Sequence, residues 1–256
     1  MGPSTKGRRA ARVRAPLASL RARAAFVRTR PIAALAALAP LAPLLAGCMT
    51  ANGYTTPRAV EPGKVNVTLA PEMAYVGRER PGEAGLPTRE ESRFSYATVP
   101  PAVAVRIGVA RDVDVGLNVR SAFVPGVDLK YNFYQGETFD LAVRPGVQGF
   151  GTDNDGARSW YHADLPILVG ARVGERVTIV ASPGIAYAKA NRITSLGYPS
   201  TGAAGRLGLG VQIGLGKRFA LFPEVTMVQS LGSERTLWLS GGLGIVFGPR
   251  PGVGAP

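Results

Sequence analysis

The feature that most constrains this chain is a period-two alternation of apolar and polar residues running from Lys64 to Phe247. In "DVDVGLNVR" the residues Val113, Val115, Leu117 and Val119 share one parity, and Asp112, Asp114, Asn118 and Arg120 take the other. "VDLKYNFY" repeats it, with Val127, Leu129, Tyr131 and Phe133 set against Asp128, Lys130 and Asn132. Successive side chains of a strand point to opposite faces, so each such segment is a strand with one apolar and one polar face. Helical periodicity is absent from this region, which predicts an all-β fold.

Ten segments carry the pattern, at about 64–77, 101–110, 112–123, 126–135, 138–150, 161–173, 176–188, 204–216, 218–230 and 235–247. Most have the length a tilted strand needs to cross a bilayer, about ten residues. Tight turns fall at Arg111, 135–138, 174–176 and 216–218. Longer loops fall at 78–98, 151–160 and 189–203, with middling ones at 124–125 and 231–234. Short connections alternating with long ones suit an antiparallel up-and-down transmembrane barrel of about ten strands, eight being the other count allowed.

The two faces differ sharply in charge. Glu72, Arg106, Asp114, Arg120, Asp128, Lys130, Asp140, Arg144, Asp164, Arg172, Arg206 and Glu224 all fall on the polar face, and the apolar face carries none. A basic side chain at the lipid midplane costs about 2–4 kcal/mol, so a membrane barrel keeps charge off its outer face. A soluble barrel with the apolar face inside would alternate in the same way. Two features favour the membrane. The polar face is rich in small residues, among them Ala102, Gly108, Gly116, Ala142, Gly170, Gly242 and Gly244, as a crowded lumen requires. Aromatics of the apolar face also gather at segment ends: Tyr75, Phe123, Tyr161 and Tyr187 toward the long loops, and Phe133, Phe139, Phe219 and Phe247 toward the tight turns. Two interfacial girdles look like this. Pro71, Pro145, Pro166, Pro183 and Pro223 each remove a ladder donor, which predicts bulges or shortened strands.

Ahead of the strands, residues 1–30 hold nine basic residues and no acidic one, and "PIAALAALAPLAPLLAG" (31–47) is apolar. A basic region, a short apolar region and a small-residue boundary describe a secretory signal. Removing it takes nine of the chain's 30 basic residues and leaves 21 against 17 acidic ones. The high net charge therefore belongs to the targeting segment and does not call for nucleic acid. A start at Val27 would give a signal of ordinary length.

Leu45-Ala46-Gly47-Cys48 resembles the bacterial lipobox. That resemblance implies cleavage before Cys48, the only cysteine, and acyl chains such as palmitate on the new terminus. The expected order is a signal at 1–47, a periplasmic tether at 48–63, a barrel at 64–247 and a tail at 248–256. An even strand number places both barrel termini on the tight-turn side, where a lipidated Cys48 is expected to sit. The barrel region resembles small bacterial outer-membrane β-barrel proteins, and "SGGLGIVF" (240–247) is similar to their terminal assembly signal. This implies outer-membrane location and outer-membrane lipid, barrel-assembly machinery and lipoprotein-processing machinery as partners, with any extracellular partner unspecified.

Little points to catalysis. His162, the sole histidine, has polar-face parity and no serine placed beside it by a motif, so a lumen or loop histidine bonded to a neighbour such as Asp164 is expected. "TDNDGA" (152–157) lacks the ends of an EF-hand loop, and the glycines of "GRLGLGVQIGLG" precede no helix. No catalytic residue, metal ligand or cofactor is expected beyond the covalent lipid on Cys48. The lumen charges, mixed in sign, are expected to pair across a narrow barrel and close it. The function read from this is a non-enzymatic outer-membrane barrel lipoprotein acting structurally or through its extracellular loops. A narrow porin-like channel and a lipid-tethered soluble barrel binding a small apolar ligand are the alternatives.

Overall fold

The computed structural model describes residues 51–80, 89–120, 124–151, 159–191, 201–232 and 235–249. The signal segment, Cys48 and the tail beyond residue 249 lie outside the described residues, as do 81–88, 121–123 with Phe123, 152–158, 192–200 and 233–234. The strands are β1 (Val65–Arg80), β2 (Arg89–Ala110), β3 (Val113–Arg120), β4 (Val124–Gln135), β5 (Phe139–Val143), β6 (Gly146–Gly151), β7 (Ser159–Val173), β8 (Val177–Asn191), β9 (Gly202–Gly214), β10 (Phe219–Ser230) and β11 (Arg235–Phe247).

Among the described residues every strand–strand pairing is antiparallel between neighbours along the chain, and β1 pairs with β11 to close the sheet. Segments β5 and β6 are halves of one strand: both lie between β4 and β7, and Arg144-Pro145 separates them. The barrel therefore has ten strand positions, as the periodicity predicts. Closure is the physical reason an isolated sheet of this kind persists, because it leaves no edge with unpaired backbone groups.

Two of the five prolines expected to disturb the ladder do so, whereas Pro166, Pro183 and Pro223 stay in register opposite Gly184, Leu207 and Leu243. Pro71 occupies a register shift between Ala70 and Glu72 in the β1–β2 pairing, and Pro145 makes the β5/β6 break. The β1–β2 hairpin is longer than its periodicity suggests. Residues 78–80 and 89–98, expected in a loop, continue the ladder through Arg78↔Glu91 and Arg80↔Arg89. The sequence there is mostly charged and polar, with Phe94 and Tyr96 the large apolar exceptions, so the alternation that reveals a half-buried strand fades while backbone pairing goes on.

Sidedness is resolved in favour of apolar residues outside. Among the described residues, thirty large hydrophobic side chains are exposed, including Leu117, Leu129, Ile185, Leu209 and Val225, whereas Asp114, Lys130, Asp140 and Glu224 are buried. An apolar surface this extensive far exceeds the patches soluble monomers tolerate. Described aromatics of the apolar face lie near strand ends as expected. Phe133, Phe139 and Phe247 are exposed toward the tight turns, Tyr161 and Tyr187 toward the long loops, and Phe219 and Phe247 pack with ring centroids 5.4 Å apart.

The expected periplasmic tether needs correction. Within 48–63, residues Ala51–Pro62 double back from the start of β1 and run up inside the barrel, where Ala51, Asn52, Tyr54, Thr55, Thr56, Ala59 and Val60 are all buried. We call this segment the thread. A ten-strand lumen lined by many small side chains is wider than its own wall residues fill, and the thread occupies the remainder.

Candidate functional site

The lumen is built from register. Asp114 of β3 lies directly opposite Lys130 of β4, and their charged atoms are 3.0 Å apart. Arg106 of β2 pairs with both Asp114 and Asp128, reaching across β3 at Gly116. A Cβ on Gly116 would come within 2.7 Å of the Arg106 guanidinium and 2.6 Å of the Asp128 carboxylate, so glycine makes room for that ion pair. Farther round, Asp164 is shared by Arg206 at 3.2 Å and Arg144 at 3.5 Å, Asp140 lies 3.5 Å from Arg172, and Arg120 lies 3.6 Å from Glu72. The eleven lumen charges named from parity and Glu72 lie on the lumen side of the wall. Their ion pairs join strands adjacent or two apart along that wall rather than spanning the lumen, and Glu224 contacts the thread instead.

What the pairing expectation misses is that these groups also hold the thread. The thread has no ladder of its own, so its buried backbone must find partners among side chains. Ser240 Oγ accepts from the Ala51 N–H at 3.2 Å, and Arg206 donates to the Ala51 carbonyl at 3.0 Å. Arg120 donates to the Asn52 carbonyl. The Glu224 carboxylate accepts from the N–H groups of Gly53 at 2.8 Å and Tyr54 at 2.5 Å. Lys130 donates to the carbonyls of Thr56 and Arg58 at 2.8 and 2.7 Å, Asn132 to that of Pro57 at 3.1 Å, and Asp114 accepts from the Val60 N–H at 2.9 Å. Charge-assisted bonds of this type are the stronger kind. The thread returns one cation, since Arg58 reaches Asp140 at 2.9 Å.

Shape matches as well as charge. Tyr54 sits in a left-handed backbone conformation (φ 44°), which non-glycine residues adopt at a cost, and its ring lies edge-on to Phe222 at 6.3 Å. Gly242 and Gly244 of β11 form its slot. An added Cβ would fall 2.1 Å from the Tyr54 Oη at the first and 2.8 Å from its Cδ1 at the second. Gly170 similarly clears Pro57, and Gly108 clears the carbonyls of Val60 and Glu61. Toward the long loops, Ala51 joins a buried apolar layer with Trp160, Trp238, Val76, Val124 and Val228.

Among the described residues, spaces of about 40, 20 and 10 Å³ flank the thread. At about 10–15 Å³ per water molecule, each holds at most a few waters rather than a solute path.

His162 is buried inside the lumen, as its parity requires. Its ring stacks on Trp160 (5.7 Å, 5° between planes) and meets Trp238 edge-on at 5.7 Å. Its Nδ1 lies 3.5 Å from the Gln148 amide, so the hydrogen-bonding neighbour is Gln148 rather than the expected Asp164. Among the described residues, no three His, Cys, Asp or Glu side chains are grouped to hold a metal. Sequence reasoning missed Asn52, Tyr54, Trp160 and Trp238. A signal for the tryptophans existed: both share the parity of the lumen charges, an odd place for the chain's only two indoles.

No protein-family model matches the chain, and no curated protein matches it in sequence. Solved structures are similar to it at the level of fold. The outer membrane protein Ail of Yersinia pestis in a phospholipid bilayer nanodisc is 14% identical (TM-score 0.35), the match covering 72% of this chain and 99% of that one. The outer membrane protease OmpT from Escherichia coli is 6% identical (TM-score 0.45), over 75% of this chain and 100% of that one. The outer membrane protein AlkL in lipid bilayers is 14% identical (TM-score 0.36), over 81% of this chain and 100% of that one.

Proposed function

We propose that this chain is a non-enzymatic bacterial outer-membrane β-barrel lipoprotein, with a structural or surface-interaction role, whose lumen is sealed by its own N-terminal segment. The observation that carries the reading is the thread, seated in a charged lumen inside a barrel whose outer face is apolar. The apolar exterior supports lipid as the surroundings of the barrel. The filled interior weighs against a diffusion channel, and its charged lining weighs against a pocket for a small apolar ligand. His162, walled in by Trp160, Trp238 and Gln148, is remote from any lipid substrate at the outer face. Cys48 is the acyl attachment point in this reading, following the lipobox resemblance, and the extracellular loops carry the interactions.

Three measurements test it. Purified protein should migrate differently on detergent gels before and after boiling, and should leave planar bilayers without steady conductance. Cys48→Ser should stay in the outer-membrane fraction, because the barrel itself holds it there. Release of that variant into the soluble fraction would overturn the barrel reading in favour of a tethered soluble domain.

A further inference from the structure

The thread has a direction. At its C-terminal end the Gly63 N–H donates to the Gly108 carbonyl at 2.9 Å, beside the tight turn that joins β2 to β3. Arg58 donates to the Gly136 carbonyl at 3.3 Å, in the tight turn between β4 and β5. Tyr54 lies midway, and Ala51 packs against Val76, Val124, Trp160, Ala186, Val228 and Trp238, near the ends of their strands that lead into the long loops. Read from Pro62 back to Ala51, the chain enters at the tight-turn end and rises toward the long-loop end.

From the level of Ala51, between two and five residues of wall strand remain before that end, to Arg80 on β1, Asn191 on β8 and Ser230 on β10. A strand rising about 3.3 Å per residue, tilted by about 40°, covers about 5–13 Å along the axis over that distance. The three residues from Ala51 back to Cys48 span up to about 10 Å when extended.

We propose that the chain passes through its own barrel, so that the N-terminus of the mature protein emerges on the same side as the long loops. Resting on the outer-membrane lipoprotein reading above, the acyl chains on Cys48 then enter the outer leaflet at the cell surface rather than the periplasmic leaflet. Strand parity places the start of β1 on the periplasmic side, and the thread reverses that for everything before Ala51. The N-terminal residues become part of the surface the long loops present to a partner. The polarity is set by the wall through Glu224, Lys130, Asp114 and Ser240, so it does not depend on the lipid.

The test is an epitope inserted between Thr50 and Ala51, which leaves the thread intact, read with antibody on intact and on permeabilised cells. The same epitope after Ser195, in the longest of the loops on that side, and after Pro256 supplies the two controls. Surface detection of the Thr50 insertion at a level comparable to the Ser195 insertion, in the wild-type and Cys48→Ser backgrounds alike, is the expected result. Detection only after permeabilisation, like the Pro256 insertion, would overturn the proposal while leaving the barrel reading intact. A Ser195 insertion hidden in intact cells would instead defeat the outer-membrane reading itself. Where the insertion prevents folding, judged by boiling-dependent migration, Thr50→Cys labelled with a membrane-impermeant maleimide against Ser195→Cys and Ala255→Cys gives the same decision. In that series, wild-type labelling in intact cells would support the exposed terminus and count against acylation of Cys48.

Discussion

Glu224→Ala is the substitution that asks most directly whether the thread is held by the wall. The carboxylate is buried, and its oxygens accept from the backbone N–H of Gly53 at 2.8 Å and of Tyr54 at 2.5 Å, with the Thr226 hydroxyl at 3.2 Å. Alanine leaves two thread N–H groups in the lumen without an acceptor, at about 1–3 kcal/mol each, or about 2–6 kcal/mol together. At 1.4 kcal/mol per decade, that favours thread withdrawal by roughly 30-fold to 10⁴-fold. Water entering the space left by the side chain pulls the effect toward the lower figure. Gln keeps an acceptor but loses the charge, so Glu224→Gln should fall between wild type and Ala.

The assay is paired. In planar bilayers, wild type should be silent, Glu224→Ala should show transient openings, and deletion of Ala51–Pro62 should show the fully open level. In a Cys48→Ser background, the pair Ala51→Cys and Ser240→Cys should form a disulfide readily, since the Ala51 nitrogen lies 3.2 Å from Ser240 Oγ. Glu224→Ala should slow that bond. Bilayers as silent as wild type, together with undiminished cross-linking, would refute the claim that Glu224 anchors the thread. Val225→Ala, on the exposed face of the same strand, is the control and should change neither readout.

Gly244→Val drives a side chain into the Tyr54 ring, where a Cβ alone would lie 2.8 Å from Cδ1. Overpacking of this kind costs about 1–3 kcal/mol, so the temperature of the gel-migration shift should fall, and Tyr54→Ala in the same chain should restore part of it. Leu129→Arg places a charge on the exposed apolar face in the middle of β4. At about 2–4 kcal/mol for a basic residue at the midplane, folding yield into lipid vesicles should drop, while solubility of the unfolded chain in urea stays unchanged. Asp114→Asn removes the negative charge shared by Arg106 and Lys130 while leaving a side-chain acceptor near the Val60 N–H. Breaking a buried pair from one side costs about 3–5 kcal/mol, and the gel-shift temperature should fall further than for Gly244→Val.

Much of the barrel is legible in the amino-acid sequence. Alternation survives wherever one face meets lipid and the other a polar interior, so segments such as 112–123 and 204–216 announce themselves. It fails where charged and polar residues dominate, which is why the outer part of the β1–β2 hairpin reads as a loop. The lumen charges were legible for the same reason as the strands: Asp114, Lys130 and Arg206 share the parity opposite the apolar residues. The thread was not. "ANGYTTPRAVEP" has no period and no run of apolar residues, because its burial rests on backbone groups paired to wall side chains, and backbone groups leave no trace in residue choice.

The sequence by itself determined the elements, their faces and their order, since a period of two and exclusion of charge from one face are local properties of the chain. Tertiary structure alone decided which face looks outward and what fills the interior. The first depends on the curvature and closure of ten strands, with β1 meeting β11 across nearly the whole chain. The second depends on Glu224, Lys130, Asp114, Gly242 and Gly244, scattered over more than a hundred residues, converging on twelve residues that have no fold of their own. A contact made by convergence, with side chains on one partner and backbone on the other, exists only once the barrel has closed around it.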